Sequence, residues 1–398
     1  MRFFTCSPVR FQGKKPFFER DTGLLCKGLQ SIGVESKSIL LGPSWEGECQ
    51  QDIIRATWEE LTSRTWWAQL GLDGVILYAW GRPRFNPIVK AIRDAGIFLI
   101  ANFDTNGFLS PAIKPSAFIY NLWMSCCKVE INFSSLLHFT KKLVGAFTVG
   151  LTITDRGILA HISSANFVST VSPVAVQRIK QFCLAFKRQE LAQKVVLIPH
   201  PVSSNMSWGG TSKLKQVVAI GRWDDVRQKD TSLLVETIRR CLDKDPQIRF
   251  VVFGSLPSRY REQLLKLSRQ HGSRLRIMGV VPNSDLAPFL QSSEMCLCTS
   301  THESFHIASA EALCCGCSIV APDSPSLPSF HWFAKEPFGR LAGRTPAAMS
   351  HAVIAEATAW NDGSRDAATI STIWQTNVGV QSVVKQIMNL YKSYKNSH

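Results

Sequence analysis

The chain has 398 residues, 45% of them apolar, and 45 Lys and Arg against 30 Asp and Glu give a formal charge of +15. Such a composition excludes a disordered polyelectrolyte and a small disulfide-stapled scaffold, and the length suits two domains of ordinary size. The positive field favours anionic partners, but the basic residues are scattered, with short clusters such as Lys14-Lys15 and Arg239-Arg240. No Lys/Arg tract or reading motif supports a specific nucleic-acid partner.

In the first half, short apolar runs alternate with amphipathic stretches. Arg2–Cys6 and Ser38–Leu41 read as strands around a helix near Thr22–Ile32, and Gly74–Tyr78 and Ile97–Ala101 flank a helix over Pro87–Ala95. Asn166–Ser169 reads as a strand, Pro173–Ala185 as a helix and Val195–Pro199 as the strand closing the first domain, with His200 beyond it a structural residue. Ser203, Ser204, Asn205, Gly209 and Gly210 are linker chemistry, so the first domain is assigned to 1–200 and the second to 201–377.

The second half repeats the rhythm. Strands are expected at Gln216–Gly221, Arg249–Gly254, Arg274–Met278, Met295–Cys298 and Ser318–Ala321, with helices at Ser232–Asp243, Ser258–His271, Asp285–Ser292 and Phe305–Cys315. Five strands separated by helices make a doubly wound α/β domain. An amphipathic helix, Val378–Tyr394, closes a final segment, 378–398.

Most of the twelve cysteines lie in apolar runs, and the opening MRFFTCSPVR has no secretory pattern. Reduced thiols in a cytoplasmic protein are therefore expected. The longest apolar stretch, Leu143–Ile153, is too short to span a membrane, so any membrane contact would be peripheral. Cys314-Cys315-Gly316-Cys317 has neither a second CxxC nor a His pair at zinc spacing, and no metal site is expected there. Phe17-Phe18 and Trp66-Trp67 could touch a glycan or a membrane surface; core packing explains them as well.

Neither G-x-G-x-x-G nor G-x-x-x-x-G-K-[ST] follows a predicted strand, which argues against a dehydrogenase or a P-loop ATPase. In open α/β sheets ligands bind beyond the carboxyl ends of the strands, where Arg222, Ser255, Val280 and Thr299–Glu303 fall. A helix starting near Ser304-Phe305 would aim its free N–H groups at a diphosphate there. Arg222 and Lys229 could supply cations, with Arg227 a competitor, or all three could be surface charges. Glu303 could cap the helix, whereas Glu311 lies in a run of Ala, Leu and Cys that should be buried. A buried carboxylate needs partners, either sugar hydroxyls or a basic neighbour.

GRWDDVRQKD, RFVVFGS, RIMGVVPNSDL and CLCTSTHESFHIASAEALCCGCSIVAPD, in that order, resemble the nucleotide-binding half of retaining GT-B glycosyltransferases of family 4. The most specific element is E-x7-E from Glu303 to Glu311, and FVSTVSPVAVQRIKQF with KVVLIPHPV resembles the end of that family's N-terminal domain. The resemblance implies two Rossmann-like domains facing across a cleft, with the final helix crossing back to the first. It implies hexosyl transfer from a nucleotide-sugar donor to a glycan or lipid-linked acceptor in polysaccharide biosynthesis, with retention and without a metal or other cofactor. Peripheral contact with the inner face of an anionic membrane would fit such an acceptor.

By the same resemblance, Arg222 and Lys229 hold the donor diphosphate and Glu303 meets the transferred sugar. Ser304 and the backbone of Phe305, His306 and Ile307 line the sugar and phosphate, Glu311 takes the ribose hydroxyls, and Gly279 and Val280 lie beside the base. On the acceptor side stand Gly13, in the thinned loop Gln12-Gly13-Lys14-Lys15, and Asp104. Phe103 occupies the place of a usual His, and APDSPSLPSF lacks the usual Gly-Gly. The missing imidazole motivates an alternative, a catalytically silent relative that binds nucleotide-sugar or glycan.

Overall fold

A computed structural model describes residues 1–110, 115–127, 131–145 and 155–397. Among the described residues thirteen strands follow in chain order. They are β1 (Phe3–Ser7), β2 (Ser38–Leu41), β3 (Ile53–Ala56), β4 (Gly74–Tyr78), β5 (Phe98–Phe103), β6 (Phe167–Thr170) and β7 (Val195–Leu197), then β8 (Leu214–Ile220), β9 (Arg249–Phe253), β10 (Leu275–Gly279), β11 (Ser293–Leu297), β12 (Ser318–Pro322) and β13 (Gly339–Ala342). Several, such as β2, β4, β7 and β9, carry uninterrupted runs of Val, Ile, Leu and Phe, as a parallel sheet covered on both faces requires.

The chain divides into two units. Residues 1–118, 143–203 and 379–398 form the first, and residues 119–142 and 204–378 the second. The apolar run Leu143–Ile153 lies mostly outside the described residues.

In the first unit seven strands run in the order β3-β2-β1-β4-β5-β6-β7, and every pairing is parallel. The order reverses between β1 and β4, which makes a topological switch point. One face packs on Trp67, Phe85 and Phe182. The other packs on the helices Asp21–Ser31 and Val380–Ser397, where Tyr391 meets the rings of Phe3 and Phe98 at 5.7 and 5.3 Å. Trp67 and Phe18 are core residues, whereas Trp66 and Phe17 are half-buried, so core packing accounts for one ring of each pair.

In the second unit the order is β10-β9-β8-β11-β12-β13, again all parallel. Six strands are present where the sequence suggested five. β13 escaped the pattern because it is short and contains Gly339 and Arg340, while its register is fixed by β12. β3 was missed similarly: it is a four-residue edge strand interrupted by Arg55. The α/β, doubly wound class expected from the sequence is the one observed in both units.

Candidate functional site

The carboxyl ends of β8, β9 and β10 are drawn close together by their backbones. Gly254 N–H donates to the Gly279 carbonyl at 2.7 Å, and its φ is +115°. A Cβ on Gly254 would stand 1.7 Å from the Gly221 oxygen, so only glycine lets these strand ends close. Arg222 follows directly and is exposed, as is Val280 beyond Gly279.

Lys229 ends a one-turn helix, Val226–Lys229, whose backbone is fastened to the loop after β11. Thr299 Oγ1 donates to the Lys229 carbonyl at 2.7 Å, and Thr301 donates through N and Oγ1 to the Gln228 and Arg227 carbonyls, both at 2.7 Å. Arg344 bonds Asp230 Oδ2 at 2.5 Å and the Thr299 carbonyl at 3.0 Å, locking the base of both loops.

The knitting places Glu303 against Lys229. Lys229 Nζ stands 2.5 Å from Glu303 Oε1, and the two side chains are only 10% and 9% exposed. Ser300 Oγ donates to Oε1 at 2.8 Å and Gln228 Nε2 to Oε2 at 3.0 Å. Burial alone would raise the Glu303 pKa, but the Lys229 ammonium, His306 and these hydrogen bonds outweigh it, holding the group below the usual carboxylate range.

The helix that follows is Ile307–Cys314, so Phe305 and His306 precede it rather than begin it. His306 caps it at φ +70°, an uncommon conformation for a side-chain-bearing residue, with Nδ1 2.7 Å from Ser309 Oγ. Phe305 is buried on Phe333, Ser304 and Ile307 are half-buried, and the first N–H groups of the helix have no partner within it. Glu311, farther along this helix, is 2% exposed and accepts from Asn283 Nδ2 at 2.8 Å. The structure therefore gathers Lys229, Glu303, the helix start and Glu311 along one edge of the second unit. Gln228, Ser300 and Asn283 are partners that sequence reasoning missed, although Gln228, Ser300 and Asn283 all lie within the motif segments; nothing in their spacing marks which carboxylate each would meet.

The first unit holds a separate cluster. Gly13 is buried, its N–H donates to Glu48 Oε1 at 3.0 Å, and a Cβ there would strike Ile53. Phe103 is fully buried against His161, whose pKa burial lowers to about 4. Asp104, one residue on, instead meets His200: Nε2 lies 3.3 Å from Asp104 Oδ2, and Nδ1 lies 3.3 Å from Asp21 Oδ1. Burial opposes the charged imidazole, but the two carboxylates prevail and raise its pKa to about 9. The His200 ring stacks on Tyr78 at 6.0 Å. Neither pairing could be inferred from positions so far apart in sequence.

With this geometry in place, comparison with known proteins is informative. Residues 214–355 match glycosyl transferases group 1. That segment contains the whole of the Lys229–Glu303–Glu311 edge. One of the curated relatives, a subunit of the phosphatidylinositol N-acetylglucosaminyltransferase of Arabidopsis thaliana, is 27% identical over 212 residues, covering 48% of this chain and 45% of the relative. The chain thus spans less than half the length of that relative. Among solved structures, Anabaena Alr3699/HepE in complex with UDP superposes with a TM-score of 0.62 at 15% identity, covering 99% of this chain and 100% of that one. The pneumococcal O-GlcNAc transferase GtfA, in complex with UDP and GlcNAc, gives 0.63 at 10% identity, with 99% of both chains covered. At such identities the likeness establishes the fold, which is GT-B.

Proposed function

We propose that this chain is a retaining glycosyltransferase of family 4 that moves a sugar from a nucleotide-sugar donor to a hydroxyl acceptor. The observation that carries the proposal is the pair of buried carboxylates, Glu303 and Glu311, on either side of one helix start at a strand-end edge. An ionised carboxylate can accept two parallel hydrogen bonds, which suits the vicinal hydroxyls of a hexose or a ribose. The helix N-terminus and the cations Lys229 and Arg222 suit the diphosphate between them. The UDP in the two solved neighbours supports this reading.

In this reading Glu303 and Gln228 orient the transferred sugar, and Glu311 with Asn283 holds the ribose. Gly279 and Val280 lie beside the base. Lys229, Arg222 and the helix dipole stabilise the departing nucleotide diphosphate, so that no metal is needed. The acceptor hydroxyl attacks the anomeric carbon on the face the phosphate leaves, and a phosphate oxygen takes its proton. Asp104 belongs to the acceptor side, as does the buried Gly13 in the loop after β1. The catalytically silent alternative draws on Phe103, whose ring is confined to the core; against it, Asp104 has regained an imidazole partner in His200.

Calorimetry with UDP-, GDP- and ADP-sugars tests the proposal, with NMR following any released sugar. One donor should bind the wild type, about tenfold or more tightly than it binds Glu311→Ala, and the α-anomer should appear first. Equal binding by the variant, or no donor bound at all, would overturn the assignment. Binding with neither transfer nor hydrolysis would favour the silent relative.

A further inference from the structure

The helix Ser258–His271 carries its outward cations without counter-ions. Its inner side is built from Leu264 and Leu267, which enter the core with Leu275 of the edge strand β10. At about 100° per residue, Arg259, Glu262, Lys266 and Arg269 fall within an outward arc of about 80°, and all four are exposed. Arg261, on the flank of that arc, is exposed as well. Among the described residues Arg259, Arg261, Lys266 and Arg269 form no ion pair, and Glu262 is the single carboxylate that the helix sets against them. Only its last residue reaches an acid, with His271 Nε2 3.5 Å from Asp243 Oδ1.

The neighbouring helix, Thr231–Lys244, balances its charge. Its Arg239 meets Glu236 at 2.5 Å and Asp243 at 2.9 Å, and Arg240 meets Glu236 at 3.0 Å. In the helix Ser258–His271, by contrast, Lys266 and Arg269 stand one turn apart with like charge, which opposes helix formation. Arg259 and Arg261 lie near its start, where the dipole favours acids and the first turn holds none. A segment that works against its own helix at several positions marks a surface kept for another purpose.

Charge and hydration select the occupant. Among the described residues, the exposed large apolar side chains include none from this helix, so it has no anchor for a lipid interface. Tyr260, its one aromatic residue, is half-buried against the core, which leaves no platform for unpaired bases. A second copy of a chain with charge +15 would be repelled. A hydrated polyanion of fixed spacing fits: from Arg259 to Arg269 the helix rises about 15 Å, and each strand of a duplex presents a phosphate about every 3.4 Å along the axis.

We propose that the outer face of the helix Ser258–His271 binds the phosphate backbone of a duplex nucleic acid without regard to base sequence, through Arg259, Lys266 and Arg269 with Arg261 at the flank. Winding the chain into a helix gathers this face from residues that form no basic tract in the sequence. The proposal stands apart from the transferase reading, since none of these residues belongs to the donor or acceptor side.

The test is fluorescence anisotropy of labelled duplex RNA and duplex DNA, each in two unrelated sequences, titrated with the full chain at rising salt. The wild type should bind at least one kind of duplex, both sequences alike, with a log–log salt slope of about −3 to −4. Lys266→Ala/Arg269→Ala should move that slope toward zero by about two. Arg239→Ala/Arg240→Ala, which removes the same charge from the paired helix, should leave it unchanged, and a cooperative thermal melt shows that each variant folds. The proposal is overturned if the wild type binds no duplex, if Lys266→Ala/Arg269→Ala keeps the wild-type slope, or if Arg239→Ala/Arg240→Ala loses as much. Binding to phosphatidylglycerol vesicles with no duplex bound would overturn it as well.

Discussion

Two sheets of the same winding carry opposite electrostatic arrangements near their strand ends. In the second unit one carboxylate, Glu303, is buried with a lysine, and Arg344 holds the Thr299 carbonyl of the same loop. In the first, one imidazole is buried between two carboxylates, Asp21 and Asp104. The comparison teaches that topology fixes where polar side chains converge and leaves their sign to individual residues. It also separates two kinds of buried charge, one built by neighbouring loops and one assembled from three distant segments.

The largest effect should come from splitting the second unit's pair. Glu303→Ala leaves the Lys229 ammonium buried without its counter-ion and should cost about 3–5 kcal/mol, read as a fall in urea midpoint at constant slope. Lys229→Met combined with Glu303→Leu should recover most of that stability while abolishing donor binding. A double variant as unstable as the single one would mean that the loops, and not the charges, need these side chains.

The first unit should respond to pH instead. A His200 pKa raised from 6.5 to about 9 corresponds to on the order of 3 kcal/mol. Because the folded value lies above the unfolded one, this stability is complete below about 6.5 and is lost as pH rises through about 9. The wild type should therefore weaken across that window in denaturant titrations, and His200→Gln should be flat there. If the variant kept the wild-type slope, the imidazole would not be the group that titrates. The smallest effect should be on the surface: Arg239, 42% exposed beside Glu236 and Asp243, should change stability by about 0.2–1 kcal/mol when replaced by Ala, and less at high salt.

How much was legible in the chain follows from the same contrast. The E-x7-E spacing could be read because one short helix and its lead-in fix it locally, and Lys229 stands in a motif segment of its own a few residues past β8. Asn283 could not be assigned to Glu311, since their meeting depends on how the sheet brings the turn after β10 to the helix after β11. His200 read as a structural residue because Asp104 and Asp21 lie far back along the chain. Strands with uninterrupted apolar runs were visible, whereas β3 and β13, broken by Arg55 and Arg340, exist mainly because a neighbour supplies their register. Aromatic pairs were ambiguous in principle: sequence gives a ring's chemistry and not its depth, so Trp67 is core while its neighbour Trp66 is half-buried.

The helix Val380–Ser397 has a consequence for how the molecule is made. Its Val383, Val384, Ile387 and Tyr391 complete a core whose other members include Phe3, Leu25 and Phe98. During synthesis the segment 204–378 can leave the ribosome whole and condense while the older first unit still waits for its last wall. The part translated first is therefore finished last, and a stop codon near residue 379 would leave an open apolar trough for chaperones to guard.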